Sequence, residues 1–252
     1  MINFIYDTTF EGFLTAVFDA YESKQKDAVI HPSDFVNPDL FAPEKIVVTD
    51  LEKASRVLKG IERKSAKSIC LKLYSIFLSE NTAKEKLMFA YIKAIIDEGP
   101  HITEDYTREY VLAIEQINKK MGREIHRMHA FVRFQKTKQG IFIAMVEPDF
   151  NVLPLTYQHF EGRYADQPWI IYDIKRRYGF YYDLKEVNEI RLNYENKDGA
   201  GHEELILDDD ELLYQDLWKK YFNAVNIPER KNIKLHLRHV PKRYWRLLTE
   251  KN

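Results

Sequence analysis

The chain is poor in cysteine, in net charge and in long apolar runs, and each shortage excludes a class of protein. Cys70 is the only cysteine among 252 residues, so neither an internal disulfide nor a thiolate-held metal cluster can form. The formal net charge is −1, so any attraction for a polyanion must come from local clusters. No apolar run approaches membrane-spanning length, and the N-terminus lacks the features of a signal peptide. We therefore expect a soluble, cytoplasmic protein that does not enter a membrane.

Motifs of common catalytic families are also missing. The sequence contains no Gly-rich phosphate loop, no serine nucleophile elbow and no HExxH motif. His126 and His129 are three residues apart, but no third ligand accompanies them, so neither a metal site nor a cofactor is predicted. Because no complete set of catalytic residues is found, the sequence favours a non-enzymatic role, although it does not exclude an enzyme.

The hydrophobic pattern predicts an α+β fold in two parts. In residues 1–100, short β-prone runs at 2–6 and 45–49 alternate with helical spacing at 10–21 and throughout 50–98, while residues 31–43 are predicted as a loop. In residues 101–252, a long helix over 106–128 precedes β-rich runs at 130–136 and 141–146. A helix over 154–164 and strands at 169–174, 178–183 and near 187–192 follow. The prediction is a helix-rich N-terminal part with short strands, then an antiparallel sheet in ββαββ order and basic C-terminal helices.

Basic side chains recur in the second part, and cationic clusters suit nucleic acid because they neutralise phosphates. The predicted nucleic-acid contacts are Lys119, Lys120, Arg123, Arg127, Arg133, Lys175, Arg176, Arg177, Tyr178, Lys242, Arg243, Trp245 and Arg246. Each cluster is also consistent with an ordinary solvated face, and the aromatic residues with core packing. The acidic stretch over 195–211 is either an internal partner for these cations or a solvated loop.

Basic and aromatic side chains lie closest together in the terminal residues 240–248. On a helix, Tyr244 and Leu248 share one face, whereas Lys242, Arg243 and Arg246 fall on the other. We therefore expect a helix that docks through its aromatic face and offers its cations to phosphate.

Two carboxylates, Glu147 and Asp149, flank Pro148 at a predicted strand end, where acid–base chemistry is often located. His159 and Asp173 are the side chains that would complete such a site. This alternative requires all four to converge in one solvent-reachable pocket.

Several blocks together resemble a bacterial family of probable DNA metabolism proteins, the domain of unknown function 4130. The blocks are residues 6–22 (YDTTFEGFLTAVFDAYE), 48–50 (VTD) with 53–54 and 56–57, 77–80 (FLSE), 128–134 (MHAFVRF), 147–149 (EPD) with 152–154 (VLP), and 241–245 (PKRYW). The chain departs from the family pattern at Phe150, where a polar or histidine residue is commoner.

The resemblance implies a role in DNA modification or repair, because members are associated with a radical-SAM protein and some are fused to a uracil-DNA-glycosylase-like domain. It supplies no catalytic residues, and this chain has neither that domain nor a three-cysteine radical-SAM motif. The leading hypothesis is an accessory protein that binds DNA or recruits a radical-SAM partner. The alternatives are a hydrolase or glycosylase-like enzyme at Glu147 and Asp149, and a purely protein-binding structural partner.

Overall fold

A computed structural model describes the chain at residues 2–24, 28–34, 43–191, 207–225, 234, 237 and 239–251. The chain divides into two compact units, Met1–Gly122 and Arg123–Asn252, and helix α5 (Glu109–Phe131) runs through the boundary. The division predicted after residue 100 falls just beyond helix α4 (Lys84–Glu98), and it stays a prediction. None of the helices in the described ranges is both long and apolar enough to traverse a lipid bilayer.

The first unit contains a parallel sheet in the order β2-β1-β3, formed by β1 (Ile2–Tyr6), β2 (Ala28–Pro32) and β3 (Glu44–Ile46). Phe4 and Tyr6 of the central strand are almost completely buried. The loop predicted from His31 begins too early, because β2 continues through Pro32. An edge strand tolerates proline, since one of its sides needs no N–H donor.

Helices cover the rest of this unit, and side-chain caps start two of them. They are α1 (Phe10–Glu22), α2 (Leu51–Lys64), α3 (Lys67–Phe77) and α4, followed by a 3-10 helix (Pro100–Glu104). The Thr9 hydroxyl accepts the Gly12 N–H at 2.9 Å, and Asp50 accepts two N–H groups of α2. The predicted strand-then-helix start and the helices over 50–98 are confirmed.

The second unit contains a five-stranded sheet in sequence order, β4-β5-β6-β7-β8. The strands are β4 (Gln135–Lys136), β5 (Phe142–Val146), β6 (Trp169–Asp173), β7 (Tyr178–Tyr182) and β8 (Val187–Ile190), with α6 (Leu153–Arg163) between β5 and β6. Three of its strand pairs are antiparallel, whereas β5 and β6 are parallel. The ββαββ order is confirmed, and the parallel pair follows because the crossover through α6 returns the chain to the starting end of the sheet.

Two local predictions in this unit are wrong. The strand predicted over 130–136 shrinks to β4, because α5 continues to Phe131, whose ring packs 5.5 Å from that of Tyr244. The α-helix predicted over 240–248 is instead a 3-10 helix (Lys242–Leu247). It begins only after Pro241, whose extended backbone starts a new segment, and the Tyr244 and Leu248 N–H groups close i to i+3 bonds. Helix α7 (Glu211–Val225) and a second 3-10 helix (Thr249–Lys251) complete the described C-terminal elements.

Candidate functional site

Glu147 and Asp149 follow β5 and line one cavity of about 360 Å³ in the second unit. Its other walls carry Pro148, Lys175, Lys242, Arg243 and Arg246. Both carboxylates are neutralised there: Asp149 Oδ2 lies 2.7 Å from Arg243 Nη2, and Glu147 pairs with Arg246. The arrangement is a cavity with four cations and two paired carboxylates, which suits an anion better than acid–base chemistry.

The other two catalytic candidates do not line this cavity. Asp173 is fully buried, with Oδ1 accepting the N–H groups of Lys175 and Arg176 and Oδ2 lying 2.8 Å from Arg176 Nη1. His159 lies on α6, and its ring stacks on His129 at a centroid distance of 3.9 Å. The four candidates therefore do not converge; only Glu147 and Asp149 meet.

Glu124 on α5 is the residue that organises this region, and it was not predicted. Its side chain is 1% exposed, and Oε1 accepts the Asp149 N–H at 2.9 Å and the Tyr244 hydroxyl. Oε2 lies 2.8 Å from Arg243 Nη2 and 3.1 Å from Arg127 Nη1. The available signal was its position between Met121 and Met128 on the apolar stripe of α5, where a carboxylate requires a buried partner.

Opposing effects act on the ionisation of Glu124. Burial by itself raises the pKa of the carboxyl, but the Tyr244 hydroxyl, the Asp149 N–H and the charge of Arg243 outweigh it and lower the pKa below its ordinary value. Burial and the adjacent carboxylate raise the pKa of Tyr244, so this phenol stays protonated and donates. The network ties the terminal segment and the 147–149 turn to α5.

Five of the predicted nucleic-acid contacts hold the second unit together instead of standing free. Arg127 and Arg243 pair with Glu124, Arg246 pairs with Glu147, and Arg176 pairs with Asp173. Arg133 Nη2 lies 2.8 Å from Glu250 Oε1, and its guanidinium lies over the Trp218 ring.

The remaining predicted cations are exposed and make no ion pair with any described residue. They are Lys119, Lys120, Arg123, Lys175, Arg177 and Lys242. Of these, Lys175 and Lys242 line the cavity beside Glu147, so they are the cations best placed to meet an anion there.

The two predicted stacking residues are both engaged internally. Tyr178 is buried and its hydroxyl donates to Asn151 Oδ1. The Trp245 indole N–H donates to the Val240 carbonyl at 3.1 Å, and the Lys251 ammonium lies over its ring.

A larger cavity of about 850 Å³ in the same unit was missed by the sequence reasoning, and we call it the aromatic cleft. Its aromatic lining residues are Phe134, Phe142, Tyr164, Trp169, Tyr214 and Trp218, and its cations are Arg133, Lys136 and Arg163. Tyr214 and Trp218 lie one turn apart on α7 and are 57% and 39% exposed, whereas Trp169 is fully buried. The cleft therefore has a partly exposed aromatic rim, in which the Trp218 indole N–H donates to Glu250 Oε2 at 3.0 Å, and a buried aromatic floor.

The acidic stretch predicted over 195–211 contributes to the edge of this cleft. Residues 195–206 lie outside the described part of the chain. The described end pairs with cations, since Asp208 Oδ2 lies 3.2 Å from Lys136 Nζ and Asp209 Oδ1 lies 2.8 Å from Lys138 Nζ. Arg163, by contrast, lies over the Tyr164 ring and makes no ion pair with a described residue.

Comparisons with known proteins identify a family. The family described as "Domain of unknown function (DUF4130)" matches residues 82–250, which is more than half of the chain. The resembling blocks at 6–22, 48–57 and 77–80 lie outside the matched range. No curated protein matches the chain. In the described residues, no three His, Cys, Asp or Glu side chains are grouped so that they could hold a metal ion.

Proposed function

The chain belongs to the DUF4130 family, and we propose that it is an accessory protein of DNA metabolism that binds single-stranded nucleic acid through the aromatic cleft. One observation carries the proposal: Tyr214 and Trp218 are exposed one helical turn apart above a cleft with an aromatic floor and cations at its walls. Proteins that bind single strands combine such stacking side chains with a positively charged groove.

The exposure of these rings favours single strands over duplex. Bases in a duplex already stack on each other and present only their edges, whereas unpaired bases offer their faces to aromatic side chains. Arg163 lines the cleft and makes no ion pair with a described residue, so it is the cation there that we expect to contact the phosphates of a bound strand. The proposed contact therefore pairs base stacking with phosphate neutralisation.

The smaller cavity beside Glu147 supplies a second phosphate contact in this proposal. Four cations face two carboxylates there, and Lys175 and Lys242 have no ion pair with a described residue. Arg243 and Arg246 add to the positive electrostatic potential of the cavity, although each is also paired with a carboxylate, Asp149 and Glu147 respectively. Lys175 and Lys242 are thus the phosphate-binding side chains of this surface.

The two alternatives receive less support from the geometry. A hydrolase at Glu147 and Asp149 would need an unpaired carboxylate, and both are paired with arginine. A purely protein-binding role could use the same cations and rings, since aromatic-lined grooves also bind peptides, and the binding assay with oligonucleotides decides between the two. Recruitment of a radical-SAM partner rests on the family resemblance alone, and co-purification of the two proteins tests it.

Fluorescence anisotropy with a labelled oligothymidine of about 16 nucleotides tests the binding proposal. We expect affinity for the single strand that falls with salt and exceeds that for a duplex of equal length. The Tyr214→Ala, Trp218→Ala double variant should bind at least tenfold more weakly, because stacking contributes about 1–3 kcal/mol per base. Leu213→Ala, Leu217→Ala is the matched control, since both leucines are exposed on α7 outside the cleft.

A second variant isolates the phosphate contacts. Lys175→Ala, Lys242→Ala should reduce the slope of log affinity against log salt by about 1.4, since each single-strand phosphate contact contributes about 0.7. These lysines are preferable to Arg243 and Arg246, whose loss would break the ion pairs with Glu124 and Glu147. Absence of salt-dependent binding by the unmodified protein, or equal affinity for duplex, would contradict the proposal.

A further inference from the structure

The floor of the aromatic cleft carries an unsatisfied hydrogen-bond donor. Trp169 is 0% exposed, and its indole N–H has no acceptor within the described part of the chain. Buried polar groups are nearly always hydrogen-bonded, so an unsatisfied donor in a residue that lines a cavity suggests an acceptor supplied by something that enters. A carbonyl oxygen or a ring nitrogen of a ligand would serve.

Two amide side chains at the wall extend this polar character. Gln215 Nε2 donates to Glu211 Oε1 at 3.1 Å, which orients the amide, and its carbonyl oxygen accepts no bond from a described residue. Gln167 also lines the cleft and makes no side-chain hydrogen bond in the described ranges. An amide offers both a donor and an acceptor, which is the combination that pairs with the edge of a nucleobase.

We propose that the aromatic cleft takes in one unpaired nucleobase, held between aromatic side chains with its polar edge toward Trp169, Gln167 and Gln215. The inference rests on the proposed binding of single strands and names what enters the cleft. A base is planar, which suits aromatic walls, and it carries donors and acceptors along one edge, which suits a cleft whose lining includes an indole N–H and two amides. The volume of about 850 Å³ accommodates the base with its sugar, and Arg163, which also lines the cleft, supplies a cation for the attached phosphate.

The decisive comparison uses two strands of equal length and charge. One is the labelled oligothymidine and the other carries abasic tetrahydrofuran sites in place of every base, while thymidine monophosphate serves as a separate probe. Tryptophan fluorescence gives a second readout, because all three tryptophans lie in the second unit and two of them line the cleft. We expect the abasic strand to bind at least tenfold more weakly and to leave the tryptophan fluorescence unchanged.

Substitutions then separate recognition of the base from general affinity. Gln167→Leu and Trp169→Phe should each weaken binding of the oligothymidine about fivefold and leave the abasic strand unaffected, because each removes one hydrogen bond to the base edge. Gln158→Leu is the matched control, since Gln158 is exposed on α6 away from the cleft. If the buried Trp169→Phe variant loses stability, Gln167→Leu alone still tests whether a hydrogen bond to the base edge contributes to binding.

The outcomes distinguish the two proposals. Equal affinity for both strands overturns base insertion and leaves single-strand binding intact, as does equal weakening of both strands by Gln167→Leu. If no strand binds but thymidine monophosphate changes the tryptophan fluorescence and Gln167→Leu reduces that change, the base site stands and the proposed function falls. If neither strand nor mononucleotide binds, both are overturned.

Discussion

Tyr244→Phe removes a single hydroxyl from the centre of the Glu124 network. Tyr244 is 5% exposed, and its hydroxyl donates to Glu124 Oε1. The Tyr244 hydroxyl oxygen also accepts a hydrogen bond from Arg243 Nη2 at 3.2 Å. Phenylalanine keeps the ring and its packing against Phe131. The substitution therefore tests the hydrogen bonds of one oxygen atom with little change in buried area.

The structure indicates a loss of about 2 kcal/mol in the free energy of unfolding of the second unit at neutral pH. A hydrogen bond to a charged group contributes about 1.5–3 kcal/mol, and more when the charge is buried. We expect a value in the lower part of that range, because Oε1 keeps the Asp149 N–H and Oε2 keeps Arg243 and Arg127.

The loss should depend on pH with a defined sign. Because the pKa of Glu124 is lowered in the folded protein, its ionisation stabilises the fold above the ordinary carboxyl pKa of about 4.3, and that stabilisation is lost as pH falls through the folded pKa. Tyr244→Phe removes one cause of the lowering, so the folded pKa of Glu124 moves up. The difference between the two proteins should therefore be largest near neutral pH and shrink as Glu124 becomes protonated.

Urea unfolding followed by tryptophan fluorescence measures this effect selectively. Trp169, Trp218 and Trp245 all lie in the second unit, so the signal reports that unit without a contribution from the first. Tyr221→Phe is the control, because Tyr221 is 58% exposed and should change stability by less than about 0.5 kcal/mol. A loss below about 0.5 kcal/mol at neutral pH, or a loss that does not change with pH, would refute the reasoning.

Two further predictions concern buried charge and glycine geometry. Asp173→Asn should lower the free energy of unfolding by about 3 kcal/mol in the same assay, because the fully buried carboxylate is the partner of Arg176; a change below about 1 kcal/mol would argue against this. Gly12→Ala should destabilise the first unit, because the added Cβ would lie 2.1 Å from Asp7 Oδ1, whereas at Gly60 it would meet nothing within 4 Å. Gly60→Ala should therefore stabilise by about 0.5–1 kcal/mol, and equal melting temperatures for the two variants in far-UV circular dichroism would contradict the comparison.

Periodicity predicted the elements well where one face of each is buried. The helices over 50–98 and the ββαββ order both follow from spacing, because burial of one face imposes a repeat that the residues must obey. The strand predicted over 130–136 was wrong for most of its length. Helix α5 continues to Phe131 although that residue is β-prone, and only Gln135 and Lys136 form a strand. Packing of Phe131 against Tyr244, which lies more than one hundred residues away, outweighs local preference there.

The candidate site was only partly accessible from the sequence. Glu147 and Asp149 were identified from their position at a strand end, and the structure brings them together with Lys242. The aromatic cleft was not identified, because its lining comes from residues spread between 130 and 249, on several helices and strands and the segments that connect them. Tyr164 and Trp169 fit core positions in their own segments, and only the folded chain places them beside Trp218.

The sequence by itself determined the α+β class, the ββαββ order of the second unit, the lack of any internal disulfide and the presence of cations near the C-terminus. These properties depend on composition and on local repeats, which are visible along the chain. The tertiary structure alone decided which cations are engaged: Arg243 faces Glu124 and Asp149, whereas Lys242 lies exposed beside it. It also decided where the aromatic cleft forms, because ion pairing and stacking depend on distances between residues far apart in the chain, and only folding sets those distances.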